Sequence, residues 1–190
     1  MIAGQYRSRP LRSLRGMDLR PTADRLRETL FNVLTAGNPA SLEGSVWIDL
    51  YAGTGAVGIE ALSRGAARIY FVESSPAAAK LIRENLGSLQ VADGFEIVQN
   101  DALKALRQLE AKARAADFVF LDPPYRMEHA YRNALEFLEK STLVKQTAAV
   151  IAEHEKRFDP GEEFGSLRRY RKLTQGDAAL SFYQSTSKLG

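Results

Sequence analysis

Asp49-Leu50-Tyr51-Ala52-Gly53-Thr54-Gly55-Ala56-Val57-Gly58 follows directly on the apolar run Val46-Trp47-Ile48. Gly53, Gly55 and Gly58 satisfy G-x-G-x-x-G, a pattern that joins a strand to a helix through a tight turn and lets backbone approach a ligand closely. Glu73 lies 20 residues after Gly53, at the end of a second apolar run, where a carboxylate can hold ribose hydroxyls. The glycines alone would equally serve a tight turn with no ligand. With Glu73 they fit a dinucleotide or another adenosine-bearing cofactor.

Outward from this loop, strands alternate with helices. Strands are expected at Val46–Leu50, Arg68–Glu73, Phe95–Val98, Asp117–Leu121 and Thr147–Ala152. Helices are expected from Gly58 to Arg64, Pro76 to Leu89, Leu103 to Ala115 and Glu128 to Lys140. Strands this apolar, each followed by a helix, argue for a parallel sheet covered on both faces. Leu167–Thr174 and Ala179–Gln184, joined by Gln175-Gly176-Asp177-Ala178, read instead as a closing hairpin. The expectation is an α/β, Rossmann-like fold with a mostly parallel seven-stranded sheet and an antiparallel C-terminal hairpin. Ligands belong at the carboxyl ends of its strands.

Three features favour S-adenosylmethionine over a nicotinamide dinucleotide. Asp49 stands just before the glycines, where a carboxylate would oppose a pyrophosphate but suits an ammonium and a sulfonium. Asn100-Asp101-Ala102 ends the third strand and can offer a carboxylate or amide to an adenine edge. The fourth strand delivers Asp122-Pro123-Pro124-Tyr125. A residue before proline is held extended, and two prolines remove two amide donors, so the carbonyls of Asp122 and Pro123 are left to accept from a ligand. Tyr125 offers a flat face for a base. An aromatic amine is a poor nucleophile, and acceptors placed on its two hydrogens favour the pyramidal nitrogen that attacks a methyl group. A proline-stiffened N-cap is the bland alternative for this tetrapeptide.

The flank before the sheet is basic. Residues 1–30 carry Arg7, Arg9, Arg12, Arg15, Arg20, Arg25 and Arg27 against Asp18, Asp24 and Glu28, so the net +3 of the 190-residue chain is concentrated there. Guanidinium forks match phosphate, and a basic end on a near-neutral body is a footprint of nucleic-acid binding; a solvated basic surface is the alternative. Residues 1–20 read as a short hairpin or extended arm, and Thr22 as the N-cap of a helix that runs to Gly37. The organisation expected is a single domain, with residues 1–40 as basic arm and covering helix and 44–190 as the core. The chain has no cysteine, which excludes disulfides and thiolate metal sites and suits a cytoplasmic protein. No membrane span or signal peptide is visible. His129 and His154 are expected at the surface or at helix ends, and Trp47 and the strand phenylalanines in the core.

On these residues the sequence resembles the bacterial 16S rRNA guanine-N2 methyltransferases almost end to end. The resemblance begins at Ile2-Ala3-Gly4 with Arg7-Ser8-Arg9, where Ser8 departs from the family's glycine. It continues through Leu19-Arg20-Pro21-Thr22 to Arg25-Leu26-Arg27-Glu28, then Asp49 to Gly55, Gly58 to Gly65, and Asp122 to Tyr125. The resemblance implies that Tyr51, Ala52, Gly53, Thr54, Gly55 and Gly58 meet the methionine side of S-adenosylmethionine, with Asp49 beside them. It gives Glu73 to the ribose and Asp101 and Ala102 to adenine. Asp122, Pro123, Pro124 and Tyr125 would hold the target guanine, Asp122 bordering the cofactor as well. Thr22 to Phe31 would cover the methionine end; whether Asp24, Arg25 or Glu28 reaches the site is left open. Arg7, Arg9, Arg12 and Arg15 are the expected phosphate contacts. The partner is small-subunit rRNA, the chain is expected to be a monomer, and no metal is required.

Rival readings are a DNA adenine-N6 or cytosine-N4 methyltransferase, a protein-glutamine methyltransferase and a non-catalytic RNA-binding module. The first usually needs an added recognition domain, and no insertion here is long enough. The second more often carries Asn where Asp122 stands. An NAD oxidoreductase would need hydride-site residues, and none is apparent.

Overall fold

The computed structural model describes residues 1–13, 21–112 and 114–186. Strand β1 (Val46–Leu50) is buried along its whole length, as a central strand covered on both faces must be. Parallel to it run β2 (Arg68–Val72), β3 (Phe95–Val98), β4 (Ala116–Leu121) and β5 (Val144–Glu155). The chain then turns back through β6 (Glu163–Phe164), β7 (Leu167–Gln175) and β8 (Ala178–Ser185). The sheet order is β3-β2-β1-β4-β5-β8-β7-β6, with β8 antiparallel to both β5 and β7.

Side chains alternate across the sheet and divide the core in two. Trp47, Ile69, Phe71, Phe120, Ile151 and Phe182 face helices α1 (Pro21–Leu34), α2 (Ala56–Ser63) and α3 (Pro76–Ser88). Ile48, Leu50, Val119, Leu121, Val150 and Tyr183 face α4 (Ala102–Glu110) and α5 (Glu128–Lys140). Trp47 is fully buried between the rings of Phe31 and Phe118, at 5.6 and 4.6 Å between centroids. Burying each such side chain contributes about 1.5–3 kcal/mol.

Several expectations need correction. Among the described residues the sheet has eight strands, because the two-residue β6 pairs with β7 at Glu163↔Arg168 and Phe164↔Leu167; two residues are too short to show in an alternation pattern. β5 extends past Ala152 to Glu155 because β8 pairs with it along that length. Thr22 lies inside α1, which starts at Pro21, the residue best suited to a first helical turn. His154 is not at the surface: it is fully buried, with Nε2 and Ser181 Oγ 2.9 Å apart. Burial lowers its pKa, so it sits in the fold as a neutral, hydrogen-bonded imidazole.

Of the short hairpin or extended arm expected over residues 1–20, residues 14–20 lie outside the described residues, and residues 1–13 contain no strand. Residues 1–8 form turns strapped to α2. Glu60, wholly buried, accepts from the amides of Ile2 and Ala3, each at 2.9 Å, and from Arg64 Nε at 2.9 Å. The amide of Gln5 donates to Ser63 O at 2.7 Å. Gly4 is required there: its φ is +76°, and a Cβ would lie 1.8 Å from the Ser63 carbonyl oxygen.

Candidate active site

The strand order reverses between β1 and β4, and a cleft of about 610 Å³ opens over their carboxyl ends. This is the switch point at which open α/β sheets bind ligands. Into it come the ends of four strands: Asp49 and Tyr51 from β1, Glu73 from β2, Asp101 after β3, and Asp122 from β4.

The glycine loop is held by those acids. Asp49 Oδ2 accepts the amide of Gly58 at 3.0 Å, and Glu73 accepts from Gly53 N at 2.9 Å and Ser75 N at 2.7 Å. Each Glu73 oxygen keeps a second lone pair for a ligand. Gly55, at φ +77°, caps α2 without a side-chain hydrogen bond. Gly55 and Gly58 do not line the cleft; Gly58 instead lets α2 press on Phe71 and Ile69. Ala52, Gly53 and Thr54 do line it, and a Cβ on Gly53 would meet only Tyr51 O, at 3.9 Å. Tyr51 takes φ +62°, a left-handed conformation uncommon for a tyrosine and typical of residues held in place for function.

Asp101 caps α4 through Oδ1, accepting from Leu103 N at 3.1 Å and Lys104 N at 3.4 Å, and with Ala102 borders the cleft. Pro123, Pro124 and Tyr125 line the other side, and Tyr125 is 47% exposed. The acids are strongly perturbed. Burial pushes Asp49 up to about 8, helped by Asp122 and Glu73 and opposed by the Gly58 amide. Burial pushes Asp122 up to about 7.

Two charged lining residues are absent from the sequence-based set. Arg27 enters from α1, and Glu153 from the end of β5. Glu153 could have been found: it is the first charge past an apolar strand, as Asp122 is. Arg27 was one of several charges on a helix whose inward face no pattern settles. Thr22's side chain and Arg15 lie outside the described residues. Arg7, Arg9 and Arg12 are exposed on the arm and do not line the cleft. Arg12 is nonetheless tied to it through Asn85 of α3. The Asn85 side chain accepts from Arg12 N at 2.8 Å and donates to Arg12 O at 3.2 Å and to Thr54 O at 3.0 Å. Among the described residues no group of His, Asp and Glu could hold a metal, and no helix is long and apolar enough to cross a membrane.

The chain is similar to known proteins in both sequence and fold. The family model described as Conserved hypothetical protein 95 matches residues 1–184. The chain is 36% identical over 157 residues to ribosomal RNA small subunit methyltransferase D of Haemophilus influenzae, covering 82% of this chain and 78% of that one. It is 33% identical over 184 residues to the Escherichia coli K12 protein of the same name, covering 97% and 88%. The solved structure of yhhF from Escherichia coli superposes with a TM-score of 0.81 at 31% identity, covering 99% and 98% of the two chains. Matched along nearly its whole length in sequence and fold, the chain belongs to the Conserved hypothetical protein 95 family and, within it, to the small-subunit rRNA methyltransferases that its sequence resembles.

Proposed function

We propose that the chain transfers a methyl group from S-adenosylmethionine to the exocyclic N2 amine of a guanine in 16S rRNA of the small ribosomal subunit. The observation that carries this reading is that Asp122-Pro123-Pro124-Tyr125 opens into the same cleft as the glycine loop and its carboxylates. The cleft suits this cofactor. Among its described lining residues Asp49, Glu73, Asp101, Asp122 and Glu153 face a single guanidinium, Arg27. That balance favours an ammonium and a sulfonium over a pyrophosphate, and the open space at Gly53 admits a ligand close to the backbone.

The bound cofactor supplies a methyl group on a sulfonium leaving group, chemistry that belongs to the cofactor and not to the protein. The chain's own residues prepare the amine. Asp122 and the Pro123 carbonyl accept its two hydrogens, and this preorganised acceptor pair strengthens as positive charge develops on nitrogen. Asp122 then takes the proton released after attack; with its pKa raised to about 7, it is matched to that task near neutral pH. Tyr125 stacks on the base, an interaction worth roughly 1–3 kcal/mol. A cleft at the tip of a buried strand cannot reach an amine inside a helix, so the base leaves its stack. Arg7, Arg9, Arg12 and Arg15 hold phosphates around it, and the chain works as a single copy in the cytoplasm.

The test offers protein-free 16S rRNA, unmodified small subunits and duplex DNA in parallel with labelled cofactor, then digests each to nucleosides. N2-methylguanosine from small subunits is expected. N6-methyladenine in the DNA, or no methylguanosine in either rRNA sample, would assign the chain to another class of amino-methyltransferase.

A further inference from the structure

Glu153 stands one residue beyond the last registered β4–β5 pair, Leu121↔Ala152, as Asp122 does on the neighbouring strand. The two carboxylates therefore lie side by side at the carboxyl edge of the sheet, and both line the cleft. The backbone of Glu153 is committed to the fold: it pairs with Leu180, and its carbonyl accepts from Tyr131 Oη at 2.8 Å. Its carboxylate has no hydrogen bond among the described residues. Arg27 reaches the same cleft from α1, with Nη2 on Asp24 Oδ1 at 2.8 Å and Nε buried without a partner.

An acid half-buried with nothing to bond is costly to the fold, and such groups in a cleft mark functional positions. Burial, and after it the neighbouring Asp122, push the Glu153 pKa well above its ordinary 4.5, while Arg27 opposes that rise, as an N–H donor from a bound base would. The cleft thus presents two adjacent carboxyl groups, with the Arg27 guanidinium lining the same space. Of the bases with an exocyclic amine, guanine alone places a ring N–H donor next to it. Adenine and cytosine place a ring-nitrogen acceptor there.

We propose that Glu153 is the specificity-determining residue of the cleft: with the guanine amine on Asp122, the Glu153 carboxylate accepts the neighbouring N1–H. This rests on the function proposed above and names the group that selects the base. Against adenine or cytosine the same carboxylate meets a lone pair, so one residue both attracts the right base and repels the wrong ones.

The test uses 2-aminopurine, which keeps the amine at C2 but replaces N1–H with an acceptor. The nucleotide that wild-type protein methylates is first mapped in small subunits. Subunits are then assembled from ligated 16S rRNA carrying guanine or 2-aminopurine at that position. Wild type should prefer guanine by at least about 100-fold, since a site built to pair an N–H rejects an analogue lacking it. Glu153→Gln should lower methyl transfer to guanine by roughly 10–100-fold and remove most of the preference, because its amide can donate to the acceptor nitrogen. Glu153→Asp, which keeps a carboxylate, should retain the preference at a lower rate. Calorimetry with S-adenosylhomocysteine should give affinities within several-fold of wild type, showing that the cleft is intact. A Glu153→Gln protein with the wild-type preference, or a wild type that does not discriminate, overturns the assignment while leaving guanine methylation standing. Absence of methylguanosine with wild type on unmodified subunits instead overturns the function itself.

Discussion

The Asp49 carboxylate, 2% exposed, accepts the amide of Gly58 at 3.0 Å across the base of the glycine loop. One residue belongs to the end of a strand and the other to the first turn of the helix that follows. Their bond sets the loop between them and leaves a buried acid beneath the cleft. Burial raises the Asp49 pKa from its ordinary 3.8 to about 8, with Asp122 and Glu73 adding to the rise.

That shift fixes the sign of a pH dependence. The folded protein holds a proton on Asp49 that the unfolded chain releases, so stability is greatest below 3.8 as far as this group is concerned, and its contribution falls as pH rises from 3.8 towards about 8. Asp122, raised by burial from 3.8 to about 7, acts in the same direction. Melting temperature of the ligand-free protein should therefore drop as pH rises from about 4 to about 8, and Asp49→Asn should flatten the drop. Binding a cationic cofactor favours the ionised acid, so calorimetry at pH 7 in buffers of different ionisation enthalpy should report proton release. Proton uptake would contradict the placement of the ammonium or sulfonium near Asp49.

Gly58→Ala should destabilise the protein without touching the cleft. An added Cβ would lie 2.4 Å from Phe71 Cε1 and 2.8 Å from Ile69 Cγ2, and both side chains are fully buried. Overpacking of this kind costs about 1–3 kcal/mol, a fall of roughly 2–4 °C in melting temperature per kcal/mol for a chain of this size. Thermal unfolding measures it; an unchanged transition would mean that the helix and strand separate more freely than the packing indicates.

The arm should be probed by charge and not by truncation. Deleting residues 1–12 would leave Glu60 buried without the Ile2 and Ala3 amides, so loss of RNA binding would be confounded with unfolding. Arg7→Gln with Arg9→Gln keeps those bonds, which are made by the backbone. The double variant should melt like wild type. For every phosphate that an arginine no longer neutralises, the slope of log affinity against log salt should shrink by about 0.7–0.9. An unchanged slope would make the arm a strap and nothing more.

Much of the fold was legible because its signals are local. The limits of β1, β3 and α5 follow directly from apolar runs bounded by loop residues, and the acids at strand ends fall where a parallel sheet must gather them. What escaped depended on distant pairing. Glu155 belongs to a strand because Ala178 lies opposite it, and β6 exists because Glu163 and Phe164 meet β7. The burial of His154 depends on Ser181, which stands 27 positions later. In the cleft, the residues at the ends of β1, β2, β3 and β4 could be read from position, and Glu153, level with Asp122 in the β4–β5 register, obeys the same rule. Arg27 could not be separated from Arg25 and Glu28 without the helix's rotation. The turns at residues 1–8, inside the stretch 1–20 expected as a short hairpin or extended arm, escaped for a related reason: Glu60, which accepts from the Ile2 and Ala3 amides, looks from sequence like a surface charge on a helix.

The most direct test of the central claim pairs wild type with Asp122→Asn on unmodified small subunits, using S-adenosylmethionine with a deuterated methyl group. The label is followed to a nucleoside and an atom by mass spectrometry. Wild type should place the label on N2 of a guanine in 16S rRNA. Asp122→Asn should bind the cofactor within several-fold of wild type yet transfer methyl more slowly by on the order of 10²–10³, because its amide still accepts a hydrogen bond but cannot take the proton. Label on any other atom, or near-wild-type turnover by Asp122→Asn, would contradict the account.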